Sequence, residues 1–197
     1  MKSGCIRLGT IAGIPLELHF SWAIVFALLA WSLATGYFPK AVPDLPAGSY
    51  WSKGILAALL LFASILAHEL GHALVARREG VQTQRIVLFA FGGVAELKAE
   101  PPGPGAEFRI AIAGPVVSVM LFLGFGILAG TLAVRPGAAA VAGYLAMLNG
   151  VVVLFNLIPA FPLDGAAFCG RPCGAPGGIP PAPPAPRPGR VGSLPTS

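Results

Sequence analysis

Four stretches of the chain, at about 18–38, 54–76, 110–134 and 138–158, run without Lys, Arg or Asp, and Glu69 is the one carboxylate inside them. A helix needs about 20 apolar residues to cross the hydrocarbon core of a bilayer, and each stretch reaches that length. They predict an all-α membrane protein, a polytopic helical bundle of about four transmembrane helices. Lys2 and Arg7 precede the first stretch as they would in a signal peptide. Its apolar part, however, exceeds the usual 7–15 residues, so a retained helix is expected. Residues 86–95 (IVLFAFGGVA) are too short to cross as a helix. Their Val, Ile and Phe content and the Gly92-Gly93 pair suit a short membrane-associated β-hairpin or a re-entrant loop. Gly126-x-x-x-Gly130 would allow close helix packing in the third span, and Gly114-Pro115 would set a kink or a helix entry there.

Beyond Gly165 the pattern ends. Between Gly170 and Ser197, 15 of 28 residues are Gly or Pro, with no period and no core-forming run. A core over 1–168 and a disordered Pro/Gly-rich tail over 169–197 are therefore expected. Gly, Ala, Pro and Arg, all specified by GC-rich codons, dominate this tail, which suggests a truncated or frame-shifted C-terminus.

Composition narrows the class. Of 197 residues, 55% are hydrophobic and 11% charged, with a mean hydropathy of +0.78. About a quarter of a soluble domain is charged, so the lipid bilayer is the expected surrounding. The net charge of +5 falls to +2 over residues 1–165, where ten Lys/Arg face eight Asp/Glu. With no dense basic patch, nucleic acid is not expected as a partner. Cys5, Cys169 and Cys173 make no paired framework. Placing the N-terminus in the cytoplasm puts Lys2, Arg7, Arg77, Arg78, Arg85, Lys98 and Arg109 on that side, against Lys40, Lys53 and Arg135. That is the orientation favoured by the positive-inside rule. Spans two and four then both end at the cytoplasmic face. Several of the aromatics Trp22, Trp31, Tyr37, Phe38, Tyr50 and Trp51 suit interfacial anchoring.

The second span carries His68-Glu69-Leu70-Gly71-His72. Residues four apart share a helix face, so both imidazoles can reach one ion, and the neighbouring Glu69 is placed to take a proton from activated water. Ionisable groups deep in a bilayer each cost about 2.5–3.5 kcal/mol on insertion scales. Such a cluster calls for a partner, and a divalent cation supplies one. A catalytic zinc site keeps three protein ligands and an open position. The third ligand is then His19, the remaining histidine, or a carboxylate. Asp164 follows the fourth span, at the depth of the two histidines, and is the better candidate; Glu79, Glu96, Glu100 and Glu107 read as solvated. His19 otherwise reads as an interfacial residue. Asn156, two turns before Asp164, is the candidate stabiliser of an oxyanion. Gly92 and Gly93 would let a substrate backbone approach a strand closely.

His68-Glu69-x-x-His72, Phe91-Gly92-Gly93 and Asn156-x-x-Pro159-x-x-Pro162-Leu163-Asp164-Gly165 together resemble the site-2 protease family of intramembrane zinc metalloproteases. The opening Leu8-Gly, Gly13-Ile-Pro15-Leu and His19-Phe-Ser-Trp22 is similar to its bacterial and archaeal branch. The resemblance covers about residues 1–168. It implies one zinc ion held by His68, His72 and Asp164, with Glu69 as catalytic base and Asn156 assisting. It further implies hydrolysis of a peptide bond in or beside the transmembrane segment of a membrane-embedded protein substrate. The expected location is the plasma (inner) membrane of a prokaryote, as a multi-pass protein. Family members usually follow Asp-Gly with Gly-Arg and further helix, whereas Ala166-Ala167-Phe168-Cys169 stands here. Two other classes stay open: an inactive truncated homologue that binds membrane segments, and a membrane metal transporter. A transporter would favour ionisable residues along a path rather than at one depth.

Overall fold

The computed structural model describes residues 5–90 and 92–156. Asp164 and the tail lie outside the described residues. Strands β1 (Cys5–Ile11) and β2 (Ile14–His19) open the chain. Helix α1 (Ser21–Ser32) continues through one π-helical turn, Leu33–Tyr37, into the short α2 (Phe38–Ala41). Helix α3 (Ala47–Arg78) leads to β3 (Thr83–Phe89) and β4 (Gly92–Leu97), and α4 (Pro104–Thr131) and α5 (Pro136–Asn156) follow. Among the described residues, four helical stretches (Ser21–Ala41, Ala47–Arg78, Pro104–Thr131 and Pro136–Asn156) are long and apolar enough to cross a membrane. The expected bundle of four helices is there.

The expected hairpin is there too, as β3 and β4, but it belongs to a larger sheet. The residues before the first span form a second hairpin, and the four strands pair in the order β1-β2-β3-β4. Ala12 and Gly13 both take positive φ (52° and 80°) between the paired Ile11 and Ile14. Two such residues make the tight turn whose twist matches that of the flanking strands. Strand β2 then pairs in parallel with β3, Leu16 opposite Ile86. The first span consequently begins at Ser21, three residues later than the apolar run. One face of the sheet, with Ile14, Leu16, Ile86 and Leu88, packs on Ala73, Ile65, Leu66 and Leu70 of α3. Residues of opposite parity point away from α3, and there Arg85 of β3 bridges Glu17 of β2 and Glu96 of β4 at 3.0 and 2.9 Å.

Helix α3 is the spine, touching α1, α4, α5 and strands β3 and β4 of the sheet. Its buried positions are mostly small, including Gly54, Ala57, Ala58, Ala73 and Ala76. In lipid, association rests on close van der Waals approach, which small residues permit. A Cβ on Gly71 would fall 2.9 Å from Val117 and 3.0 Å from the Ala113 carbonyl of α4. The helices therefore meet closely at the middle of the His-Glu-x-x-His segment. Gly126 and Gly130 do not play this part: among the described residues nothing lies within 4 Å of a Cβ built there. Gly80, with φ of 82°, ends α3. Val81 N–H donates to the Ala76 carbonyl and Gly80 N–H to that of Arg77, a Schellman closure. Of the expected interfacial aromatics, Trp31 and Trp51 are exposed and Phe38 is fully buried. Trp22 packs among Phe26 and Phe62, 5.0 Å from each ring.

Candidate active site

The C-terminal half of α3 places His68, Glu69 and His72 inside the bundle, at 5%, 8% and 7% exposure. The two imidazoles lie one turn apart on a single face, and their Nε2 atoms stand 3.1 Å from each other. Each Nδ1 is held from α4: His68 Nδ1 lies 2.8 Å from Ser118 Oγ, and His72 Nδ1 donates to the Ile110 carbonyl at 2.7 Å. An oxygen at Nδ1 fixes the plane of a ring and so aims its Nε2.

Ile110, Gly114 and Ser118 are four apart on one face of α4. The outer two meet the histidines, and Gly114 faces the gap between the Nε2 atoms. A methyl group on Gly114 would overlap both. The Gly114-Pro115 pair does not set a helix entry, since α4 begins at Pro104 and runs through Pro115. Gly114 instead keeps open the space on which the two nitrogens converge. Neither it nor Ser118 was expected at the site. The signal was a small residue and a hydroxyl at four-residue spacing in an otherwise apolar span.

Glu69 turns toward the sheet. A Cβ on Gly93 of β4 would fall 2.5 Å from its Cγ and 3.2 Å from its Oε1. Gly93 thus brings a strand backbone against the carboxylate. A cavity of about 200 Å³ is lined by His68, Glu69, Gly92, Gly93, Ser118 and Asn156, with Asn149 and apolar side chains of α3 and α5. Asn156 ends α5 with Nδ2 3.5 Å from His68 Nε2, and the Asn149 amide donates to the Leu145 carbonyl of its own helix at 2.8 Å. His19 stands at the end of β2 with Nδ1 2.7 Å from Ser21 Oγ, which accepts the Ala90 N–H at 3.2 Å. This contact ties the β3–β4 turn to the start of α1. Glu79 pairs with Arg109 and Glu96 with Arg85, outside the cavity. The structure therefore gathers His68, Glu69, Gly92, Gly93 and Asn156 around one space, with His72 directly behind His68.

The donor set suits a zinc ion. Two nitrogens bound to one tetrahedral zinc at about 2.0–2.1 Å lie about 3.3 Å apart, close to the spacing of the Nε2 pair. The Ile110 carbonyl can only accept, so the neutral His72 ring keeps its proton on Nδ1 and presents a lone pair at Nε2. Among the described residues no set of three or more His, Cys, Asp and Glu side chains gathers to complete a site.

Residues 56–135 match Peptidase family M50. The solved structure titled "Site-2 Protease from Methanocaldococcus jannaschii" is 35% identical, with a TM-score of 0.58, over 82% of this chain and 68% of that one. These matches and the His-Glu-x-x-His helix at the heart of the bundle define a membrane metallopeptidase fold, and the chain belongs to the site-2 protease family, Peptidase family M50. Among curated relatives, "Putative zinc metalloprotease sll0528" of Synechocystis is 44% identical over 81% of this chain and 42% of its own length. "Putative zinc metalloprotease Rip3" of Mycobacterium tuberculosis is 49% identical over 81% of this chain and 41% of its own. The chain spans about two fifths of the length of these relatives.

Proposed function

We propose that the chain is a zinc-dependent intramembrane endopeptidase, hydrolysing a peptide bond within or next to a transmembrane segment of a protein substrate. The observation that carries this is a pair of buried imidazole nitrogens 3.1 Å apart at the edge of a cavity lined by His68 and Glu69, inside a membrane-spanning bundle. His68 and His72 hold the ion, with Asp164, beyond the described residues, as third ligand. Zinc, when bound there, supplies a Lewis acid that acidifies water and polarises a carbonyl. Glu69 accepts the proton of the attacking water and delivers it to the leaving amine. The Asn156 amide, at the cavity wall, donates to the oxyanion as it forms.

A helical substrate keeps its peptide bonds in its own hydrogen bonds and must unwind before attack. Strand β4 ends the described sheet, and Gly92 and Gly93 lie beside Glu69. An unwound segment adding to β4 exchanges its lost helical bonds for strand bonds and lays its backbone along the carboxylate. The core spans 1–168, ahead of a separate tail at 169–197. The N-terminus faces the cytoplasm, on the strength of seven basic residues against three.

The test is cleavage of a membrane-embedded substrate in proteoliposomes by the full chain, by Glu69→Gln and by chelator-treated protein. A loss of about 10²–10⁴-fold on removal of the base, with zinc still bound, supports the assignment. Stoichiometric zinc without cleavage by the unaltered chain supports the non-catalytic, segment-binding alternative.

A further inference from the structure

The partners of the two Nδ1 atoms differ in kind. At His72 the partner is a carbonyl, which accepts and never donates. At His68 it is the Ser118 hydroxyl, which rotates to do either. Ser118 is 1% exposed, so bulk water cannot take its place. The difference matters because His68 must serve two arrangements. A hydrogen bond across the 3.1 Å between the Nε2 atoms needs the proton on His68 Nε2, because His72 Nε2 is bare. His68 Nδ1 then accepts from Ser118. Ligation of one ion by both Nε2 atoms needs the His68 proton on Nδ1, donated to Ser118. The proton leaving Nε2 is balanced by the one gained at Nδ1, so the neutral pair keeps two protons in both arrangements. A carbonyl at the place of Ser118 would support only the second, and an apolar group neither.

We infer that Ser118 is a positioning residue for His68, whose hydroxyl accepts the Nδ1–H in the zinc-loaded protein and holds the ring with Nε2 turned to the ion. This rests on His68 and His72 being the zinc ligands. Gly114, one turn away on the same face of α4, leaves the space into which both rings point. The working element of this device is chemical rather than steric, which makes it separable from packing.

Thr and Val are nearly the same size and shape, so Ser118→Thr and Ser118→Val change packing alike and differ in the hydroxyl. Zinc affinity of the full chain in detergent is measured by competition with a chromophoric chelator. The expected result is that Ser118→Thr binds like the unaltered chain and Ser118→Val binds about 10–100-fold more weakly, the usual range for loss of such a partner. Side-chain ¹⁵N spectra of histidine-labelled, zinc-loaded protein should place the His68 proton on Nδ1. Equal affinities for Thr and Val would overturn the inference, and Ser118→Ala, which removes the hydroxyl without adding bulk, replaces Val should that variant fail to fold. A His68 proton on Nε2 with zinc bound would overturn the ligand assignment instead. The parent assignment fails separately. If the unaltered chain takes up no zinc, or His68→Ala binds as tightly as the unaltered chain, the ligands themselves are wrong, and the role of Ser118 falls with them.

Discussion

Two clusters of polar side chains sit on either side of the sheet, and they are built on opposite principles. On the face turned away from α3, Arg85 is shared between Glu17 and Glu96, so both carboxylates meet the one guanidinium. On the face turned toward α3, the cavity gathers an imidazole, a carboxylate, two hydroxyls and two amides, with the His72 imidazole 3.1 Å behind that of His68, and no Lys or Arg lines it among the described residues. The first cluster joins three strands. The second is an assembly of electron-pair donors pointed at one place, and burial makes each donor expensive unless a cation completes the set. Polar residues in an apolar chain thus read as architecture where opposite charges pair and as chemistry where their lone pairs add.

The largest effect should come from closing the point of convergence. Gly114→Ala places a methyl group where both Nε2 atoms face, so zinc uptake and hydrolysis should both be lost, with at least a 100-fold fall in activity by analogy with misplaced reacting groups. Metal analysis of the purified variant and a thermal unfolding scan check it; normal zinc content would break the contrast. Gly93→Ala comes next. Its Cβ meets Glu69 and not the histidines, so kcat should fall by about 10–100-fold with zinc affinity unchanged. A parallel loss of zinc would show that the base and the ligands are not separable.

How much of this was legible in the chain depends on what the pattern encodes locally. The helices follow from length and hydropathy, and His68, Glu69 and His72 from a spacing of four on one helix. The hairpin at 86–95 shows in its β-branched content and paired glycines. The hairpin at Cys5–His19 does not. Strand β1 is solvated along almost its whole length, so no alternation marks it, and β2 is held by a parallel pairing to a strand some 70 residues away that no local window contains. Ser118 and Gly114 were hidden for a related reason. Which face of α4 meets α3 is settled by packing around Gly71, and only then does a four-residue spacing in an apolar span acquire meaning. The partners of Glu79 and Glu96 are likewise tertiary, which is why these carboxylates read as merely solvated.

The closed clusters should respond in stability and leave the site untouched. Arg85→Ala leaves two half-buried carboxylates without their cation. Discounted for their partial exposure to water, the cost should be about 1 kcal/mol, seen in denaturant unfolding, with zinc affinity as in the unaltered chain. A loss of zinc binding on this substitution would couple the two faces of the sheet.

The smallest effect should come from Glu79, at the end of α3, whose two carboxylate oxygens accept from Arg109 Nε and Nη2 at 2.7 Å each. The hydrogen bonds from Arg109 hold the Glu79 pKa below the ordinary carboxylate value against an opposing desolvation, with a smaller contribution from the Arg109 charge. Because the folded state holds the proton less tightly than the unfolded chain, the pair stabilises above the unfolded pKa, and that contribution fades as pH falls through the lower folded one. The unfolding midpoint of Glu79→Gln should therefore lie slightly below that of the unaltered chain at neutral pH and meet it under acid conditions. The gap should also shrink with added salt, as an exposed pair requires. A gap that persists in acid would mean that Glu79 holds α3 to α4 through packing rather than charge, and the pair would then cease to be an example of the closed kind.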